Sequence, residues 1–342
     1  MSGPFRCLAM LTLLASLAVS PAHAEGSGSP TLDAVRARGE LLCGVSGTTP
    51  GFSFPDSRGV IRGGDADICR AVAAAALGDA NRVRFVLLTS VNRFVALQSG
   101  EVDLLARTVS WTLGREASLG LLFGNVNFYD GTGFMVKAAA GVTSVKELNG
   151  ATICVLPGTS TELVLADWFR LQKMSFTPVL IDSTNELRAA FMAGRCDAYA
   201  TDTSSLAGFR HSLGDKRGNV TLLPETISKE PLAPAVRKGD DKWFDLLRWT
   251  QFAMLAAEEF GITSANVDGF QASTNPDIRR LLGLDGELGR ALGVDRRWAY
   301  AVIRQVGNAA EVWDRNFAPL GLARGRNALS DQGGLGYAPP LR

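Results

Sequence analysis

The sequence predicts an α/β protein with mainly parallel sheets, folded as two similar lobes. Three observations carry that expectation. Short apolar runs of strand character alternate with helix-like runs from residue 41 onward. The alternation closes near residue 138 and begins again at 144. Two phrases also recur, once in each series. CGVSGTTPG (43–51) is answered by CVLPGTSTE (154–162), and SGEVDLLART (99–108) by AGRCDAYATD (193–202). Two matched halves create a crevice, and in open α/β sheets ligands sit beyond the carboxyl ends of the strands. Polar residues just after the matched strands are therefore the place to look for a site.

Residues 1–24 read as an export leader. Arg6 gives a positive start, 8–19 (LAMLTLLASLAV) are apolar, and Ala22-His23-Ala24 fits the small-x-small cleavage pattern. Twelve apolar residues fall short of the ~20 that a membrane anchor needs. Cys7 precedes the apolar run, which argues against a lipoprotein. Removing 24 of the 342 residues takes away Arg6, so the net charge drops from +1 to about zero. That balance offers no basic field for nucleic acid.

The first series runs as strand 41–46, a turn-rich loop to 64, helix 65–77, strand 83–88, helix 92–100, strand 102–107 and strand 133–138. Asp65 and Asp67 sit where acids suit a helix start, and Gly100 closes its helix. The second series runs as helix 144–150, strand 151–156, helix 159–171, strand 177–181, helix 185–194 and strand 196–202. After 230 the pattern changes to a strand and turn, then a long helix over 242–261 with Trp243, Phe244, Leu247, Phe252 and Leu255 at mostly helical spacing. Helical segments follow at 276–283, 286–292 and 295–317. The Gly- and Pro-rich end, 318–342, reads as an extended tail lying on the body.

Without the leader, four cysteines remain: Cys43, Cys69, Cys154 and Cys196. Four cysteines allow three pairings. Cys43–Cys69 with Cys154–Cys196 is favoured, because each bridge then staples one half of the chain, and an exported chain meets oxidising conditions. Four buried free thiols are the alternative. The spacings do not suit zinc. Only His211 survives leader removal, in a polar helix-end context, which excludes two-histidine metal chemistry and leaves a Ser-His-Asp triad poorly served.

The chemistry-bearing residues gather after the matched strands. Arg107, Thr108, Ser110 and Arg115 follow the first. An arginine grips a carboxylate with two parallel hydrogen bonds, and Arg107 and Arg115 compete for that role. In the second lobe Thr159 and Ser160 open a helix whose free N–H groups suit an anion. Asp202, at the end of the matching strand, suits an ammonium group. Together they meet the needs of an amino-acid zwitterion. Plainer roles exist for each: a solvated Arg115, helix caps at Thr159 and Ser160, and a cap at Asp202.

On these stretches the chain resembles the periplasmic amino-acid-binding proteins of ABC importers, most closely the general L-amino-acid-binding subgroup with its long C-terminal extension. The likeness also rests on CGVSGTTPGFSFPD, GGDADICRAVAAA, LQSGEVDLLARTVSWTLGRE, VNFYDGTGFMVK, LPGTSTELVLADWF, ISKEPLAPAVRKGDDKWFD and EEFGITSANVD. It implies a bilobed type II fold. Lobe 1 is then 25–132 with 232–342, lobe 2 is 138–227, and 133–137 and 228–231 are hinge strands. The family pattern T/S-x-S-x-x-x-x-R assigns the ligand carboxylate to Arg115, with Ser110 and Thr108 as companions. Ser160, beside Thr159, becomes a second carboxylate contact, and Asp202 the ammonium partner.

The first loop departs from that pattern. Thr49 stands where polar-amino-acid binders place an aromatic ring, with Phe52 to compensate, and Ser46 replaces an acid. The resemblance then implies a broad or an acidic-to-neutral range of ligands rather than a preference for cationic ones. It further implies a monomeric periplasmic receptor without cofactor, closing on free L-amino acids and handing them to the permease subunits of an importer driven by its ATPase. An enzyme on the same scaffold, of the cyclic-acid dehydratase type, and a sensory ligand-binding protein are the alternatives.

Overall fold

The computed structural model describes Gly3 and residues 27–342. The expected leader therefore lies, Gly3 apart, outside the described residues. Two five-stranded sheets follow one plan. In the first, the order is Val83–Leu87, Leu41–Val45, Leu104–Leu105, Ala235–Arg237, Leu121–Phe123; in the second, it is Thr177–Leu180, Thr152–Val155, Ala198–Asp202, Thr132–Lys137, Val220–Leu222. Three neighbouring strands are parallel in each sheet; a fourth runs against them, and the edge strand beyond it is antiparallel to that fourth. The sheets are thus mixed rather than wholly parallel. The duplicated sequence phrases correspond to the central parallel strands and the turns that leave them.

The strand Leu41–Val45 is almost wholly buried, as expected of a parallel strand covered on both faces. One cover is the helix Gly64–Leu77, whose run AVAAAA has the best intrinsic helix former at most positions. Its small side chains let the helices Asp241–Glu259 and Trp298–Val306 approach closely. The disulfide Cys43–Cys69 ties strand to helix, and Cys154–Cys196 ties a strand of the second sheet to the turn that leads into Ala198–Asp202. Their loops of 26 and 42 residues suggest about 3–4 kcal/mol of stabilisation each.

The chain passes between the sheets through Phe128–Asp130 and Glu230–Leu232, which pair antiparallel with each other. The hinge expected at 133–137 is corrected by this register. Thr132–Val136 pair with Ala198–Asp202 and so belong to the second sheet. The return strand begins at Glu230 and includes Leu232, two positions later than the expected 228–231.

The segment expected as one helix over 295–317 is two, Trp298–Val306 and Ala309–Asn316. Gly307 breaks it with φ 95°, and Asn308 restarts it through a capping box with Glu311. The tail is not simply extended. It winds through three short 3₁₀ turns, at Ala318–Leu320, Gly325–Asn327 and Ser330–Gln332.

Candidate functional site

A cavity of about 490 Å³, mouth included, lies between the lobes at the carboxyl ends of the parallel strands. From the first lobe it is lined by Ser46, Thr49, Arg93, Arg107, Thr108 and Ser110. From the second lobe come Thr159, Ser160, Thr184, Arg188, Tyr199 and Asp202 among others.

The first loop is a knot of hydroxyl groups. Ser53 Oγ accepts from the N–H groups of Ser46 and Gly47, both at 3.1 Å. Ser46 Oγ meets Thr48 and Thr49 at 2.7 and 3.1 Å. This knot presents Thr49 to the cavity. Phe52 does not compensate for the missing ring, and that expectation is corrected. Its side chain is fully buried away from the cleft, in edge contact with Phe128 and Phe317 at 5.2 and 4.9 Å. Burial against two aromatic neighbours is more favourable than a wet cleft wall.

The turn after Leu104–Leu105 is strained. Thr108 has φ 46°, left-handed backbone that a β-branched residue adopts at a cost of roughly 1–3 kcal/mol. Its N–H donates to Asp65 Oδ2 at 2.9 Å, and Asn127 donates to the other carboxylate oxygen at 3.2 Å. Asp65 therefore does more than suit a helix start: it anchors the binding turn. Burial pushes its carboxyl up to about 6, against these hydrogen bonds and the charge of Arg107.

Ser110 Oγ lies 3.1 Å from Ser160 Oγ, so one hydroxyl from each lobe meets across the cleft. Ser160 Oγ also donates to Glu230 Oε2 at 2.8 Å, which joins the second lobe to the hinge. Thr159 caps the helix Ser160–Leu171 and donates to Leu156 O at 2.7 Å. Asp202 occupies a cap position without making the cap hydrogen bond, so its carboxylate stays free for another partner. Burial, Asp130 and Glu230 together push its pKa well above the usual carboxylate range, opposed by Arg93 and Arg115. Asp130 is itself pushed up to about 6, chiefly by burial, while Ser204 and Gly131 donate to it.

Thr49, Thr108, Ser110, Thr159, Ser160 and Asp202 are thus brought to one cavity. Arg115 stands just behind its wall. Its Nη1 donates to Ser110 O at 2.8 Å, and its guanidinium rests on the Phe94 ring at 5.3 Å. Arg107 lines the wall itself, with Nε donating to Leu88 O at 2.7 Å; burial lowers its pKa to about 10, opposed by Asp182, Asp65 and Asp202.

Two arginines were missed in the sequence. Arg93 opens the helix Arg93–Ser99, and a cation opposes the helix dipole there. Arg188 sits within the buried stripe of Thr184–Met192, beside Leu187 and Phe191. Each misplacement was a readable signal that the residue serves something other than its helix.

A larger cavity, about 750 Å³, lies under the C-terminal extension. There Gln251 engages Asn125, Arg324 pairs with Glu258, and Asn327 engages Tyr129. The interlobe cleft instead gathers arginines that form no ion pair among the described residues.

Residues 41–264 match the bacterial extracellular solute-binding proteins, family 3. The chain is 50% identical over 331 residues to the glutamate/glutamine/aspartate/asparagine-binding protein BztA of Rhodobacter capsulatus, covering 96% of this chain and 98% of that one. It is 47% identical over 338 residues to the general L-amino acid-binding periplasmic protein AapJ of Rhizobium johnstonii, covering 97% and 99%. A periplasmic binding protein from Brucella ovis with glutathione bound superposes with a TM-score of 0.88 at 48% identity, covering 91% of this chain and 99% of that one.

Proposed function

We propose, for a chain that belongs to family 3 of the bacterial extracellular solute-binding proteins, that the interlobe cleft binds free L-amino acids and delivers them to an ABC importer. Among the described residues no helix is long and apolar enough to cross a membrane. The protein is a monomeric receptor, exported by its leader to the periplasm, and its partners are permease subunits with their ATPase. It binds without chemical conversion. Two lobes, divided at Phe128–Asp130 and Glu230–Leu232, close on the ligand.

One observation carries this reading. A buried carboxylate with no cap to make, Asp202, shares an enclosed cleft with arginines contributed by the facing lobe. The ligand ammonium goes to Asp202. The ligand carboxylate goes to the first lobe, where Thr108 and Ser110 are its hydroxyl donors and Arg115 its guanidinium. The bond from Arg115 Nη1 to Ser110 O fixes the guanidinium, leaving its other N–H groups as donors. Ser160, at the start of its helix, and Thr159 complete the shell.

The test is calorimetry with each of the twenty L-amino acids, on the wild type and on Asp202→Ala and Arg115→Ala. Removing one partner of a buried charge contact costs about 3–5 kcal/mol. Both variants are expected to lose measurable binding while keeping native circular dichroism. Unchanged affinity in both removes the two residues from the site.

A further inference from the structure

Three guanidinium groups line the cleft, from Arg93, Arg107 and Arg188, against a single carboxylate, Asp202. Neither they nor Arg115 form an ion pair with any acidic side chain among the described residues. Ion pairs do form widely elsewhere, from Arg38–Asp103 to Arg324–Glu258. A buried guanidinium without a counter-charge is costly. The cleft is therefore suited to negative charge brought from outside. A zwitterion with a neutral side chain supplies only one carboxylate, and its ammonium meets Asp202. Asp65 and Asp182 offset part of the charge of Arg107, and Glu230 part of that of Arg115, while Arg188 forms no ion pair among the described residues.

Arg188 shows where the surplus acts. It projects from the second lobe, is 7% exposed, and its Nη1 donates to Thr48 O of the first lobe at 2.8 Å. Its guanidinium lies over the Phe209 ring at 4.8 Å, and its Nε has no partner. Arg93 is its mirror image. It projects from the first lobe, is 2% exposed, donates from Nη2 to Gly158 O of the second lobe at 3.3 Å, and also leaves Nε without a partner. Each lobe thus sends one buried arginine to a backbone carbonyl of the other.

We propose that Arg188 is a specificity-determining residue, taking the side-chain carboxylate of an acidic L-amino acid. This rests on the amino-acid-receptor reading above. Recognition and closure become linked, because the guanidinium that meets the second carboxylate is the one that reaches Thr48 across the cleft. A side-chain carboxamide accepts a hydrogen bond but leaves the positive charge uncompensated. Glutamate is therefore favoured over glutamine, and the difference belongs largely to Arg188.

Calorimetric titration with L-glutamate and L-glutamine decides the matter. In Arg188→Gln, glutamate affinity falls about ten-fold or more, as expected for a hydrogen bond to a charged group, while glutamine loses about three-fold or less. Arg188→Lys keeps the charge and retains most of the wild-type glutamate-to-glutamine ratio. An equal loss of both ligands in Arg188→Gln shows a merely structural latch and overturns the inference alone. So does an unchanged ratio with unchanged affinities. A wild type that binds no amino acid overturns the receptor reading and this inference with it. Native circular dichroism accompanies each variant, and if Arg188→Gln does not fold, a glutamate-to-glutamine ratio in Arg188→Lys equal to one overturns the proposal.

Discussion

Asp202 is the residue on which pH acts. Its pKa in the ligand-free protein is pushed well above the usual carboxylate range, by burial first and by Asp130 and Glu230 next. The neighbouring Asp130 is itself pushed up to about 6. A ligand ammonium beside Asp202 favours the ionised form, so binding lowers that pKa. The sign follows. Above the ligand-free pKa the carboxylate is already charged and affinity is flat. As the pH falls through it, a proton must leave on binding, and affinity drops by up to about ten-fold per unit. Titrations between about pH 8 and pH 5, in buffers of different ionisation enthalpy, measure both the drop and the released proton. Asp130→Asn removes one repelling charge and moves the drop to lower pH. Affinity that stays level across that range contradicts the assignment of Asp202. At this scale the sequence was informative where a hydroxyl, acid or arginine followed a matched strand, as with Thr108, Ser110 and Asp202. It was uninformative where a contact depended on distant segments. Nothing local tells that Asp65 holds Thr108, or that Phe52 turns inward toward Phe317, 265 positions away.

Among elements, the hinge is the least legible part of the sequence. Leu121–Phe123 and Phe128–Asp130 are three-residue strands inside LGLLFGNVNFYDGTGF, too short for a period of two to show. The long helices are the reverse case: 242–261 was expected and Asp241–Glu259 is found. The C-terminal extension explains how so short a hinge keeps its shape. Phe317 and Trp313 pack on Phe128 of the outgoing strand at 5.0 and 5.5 Å. Asn327 accepts from Tyr129 N at 2.7 Å and donates to Tyr129 O at 3.4 Å, taking the place of a third strand. The turn Ala318–Leu320 then reaches the second-lobe helix Thr203–Ser212. Asn327→Ala is expected to cost about 1 kcal/mol of stability and to raise hydrogen exchange at the Tyr129 amide. Phe317→Ala opens the aromatic cluster and costs about 3–5 kcal/mol in denaturant unfolding. Tyr129 exchange unchanged by Asn327→Ala contradicts the bracing role.

At the scale of the whole molecule, closure is a balance between neutral and charged contacts. Among the described residues four hydrogen bonds cross between the lobes: Ser110–Ser160, Arg93 to Gly158, Arg188 to Thr48, and Ser90 to Asp182 at 3.3 Å. Each is worth about 1 kcal/mol, or somewhat more where an arginine donates. Against them stands the burial of arginines that have no acidic partner, a cost of several kcal/mol in a closed ligand-free shell. With several such groups the charge cost is the larger sum, so the open state is favoured without ligand. Moving such an equilibrium from 1:99 to 99:1 requires about 5.5 kcal/mol of differential affinity. A zwitterion that meets Asp202 and the first-lobe arginines supplies it through charge-assisted contacts made only when both lobes are present. X-ray scattering in solution is therefore expected to give a smaller radius of gyration with saturating L-glutamate than without. Arg93→Ala and Arg188→Ala remove buried positive charge along with one cross-lobe hydrogen bond each. They shift the ligand-free protein toward the compact state if charge burial outweighs the lost hydrogen bonds, and toward the open state otherwise. Because an unpaired buried guanidinium costs more than one neutral hydrogen bond gives, the compact shift is the expected result. A ligand-free radius that grows in both variants shows that the cross-lobe hydrogen bonds hold the lobes together more strongly than the buried charge drives them apart.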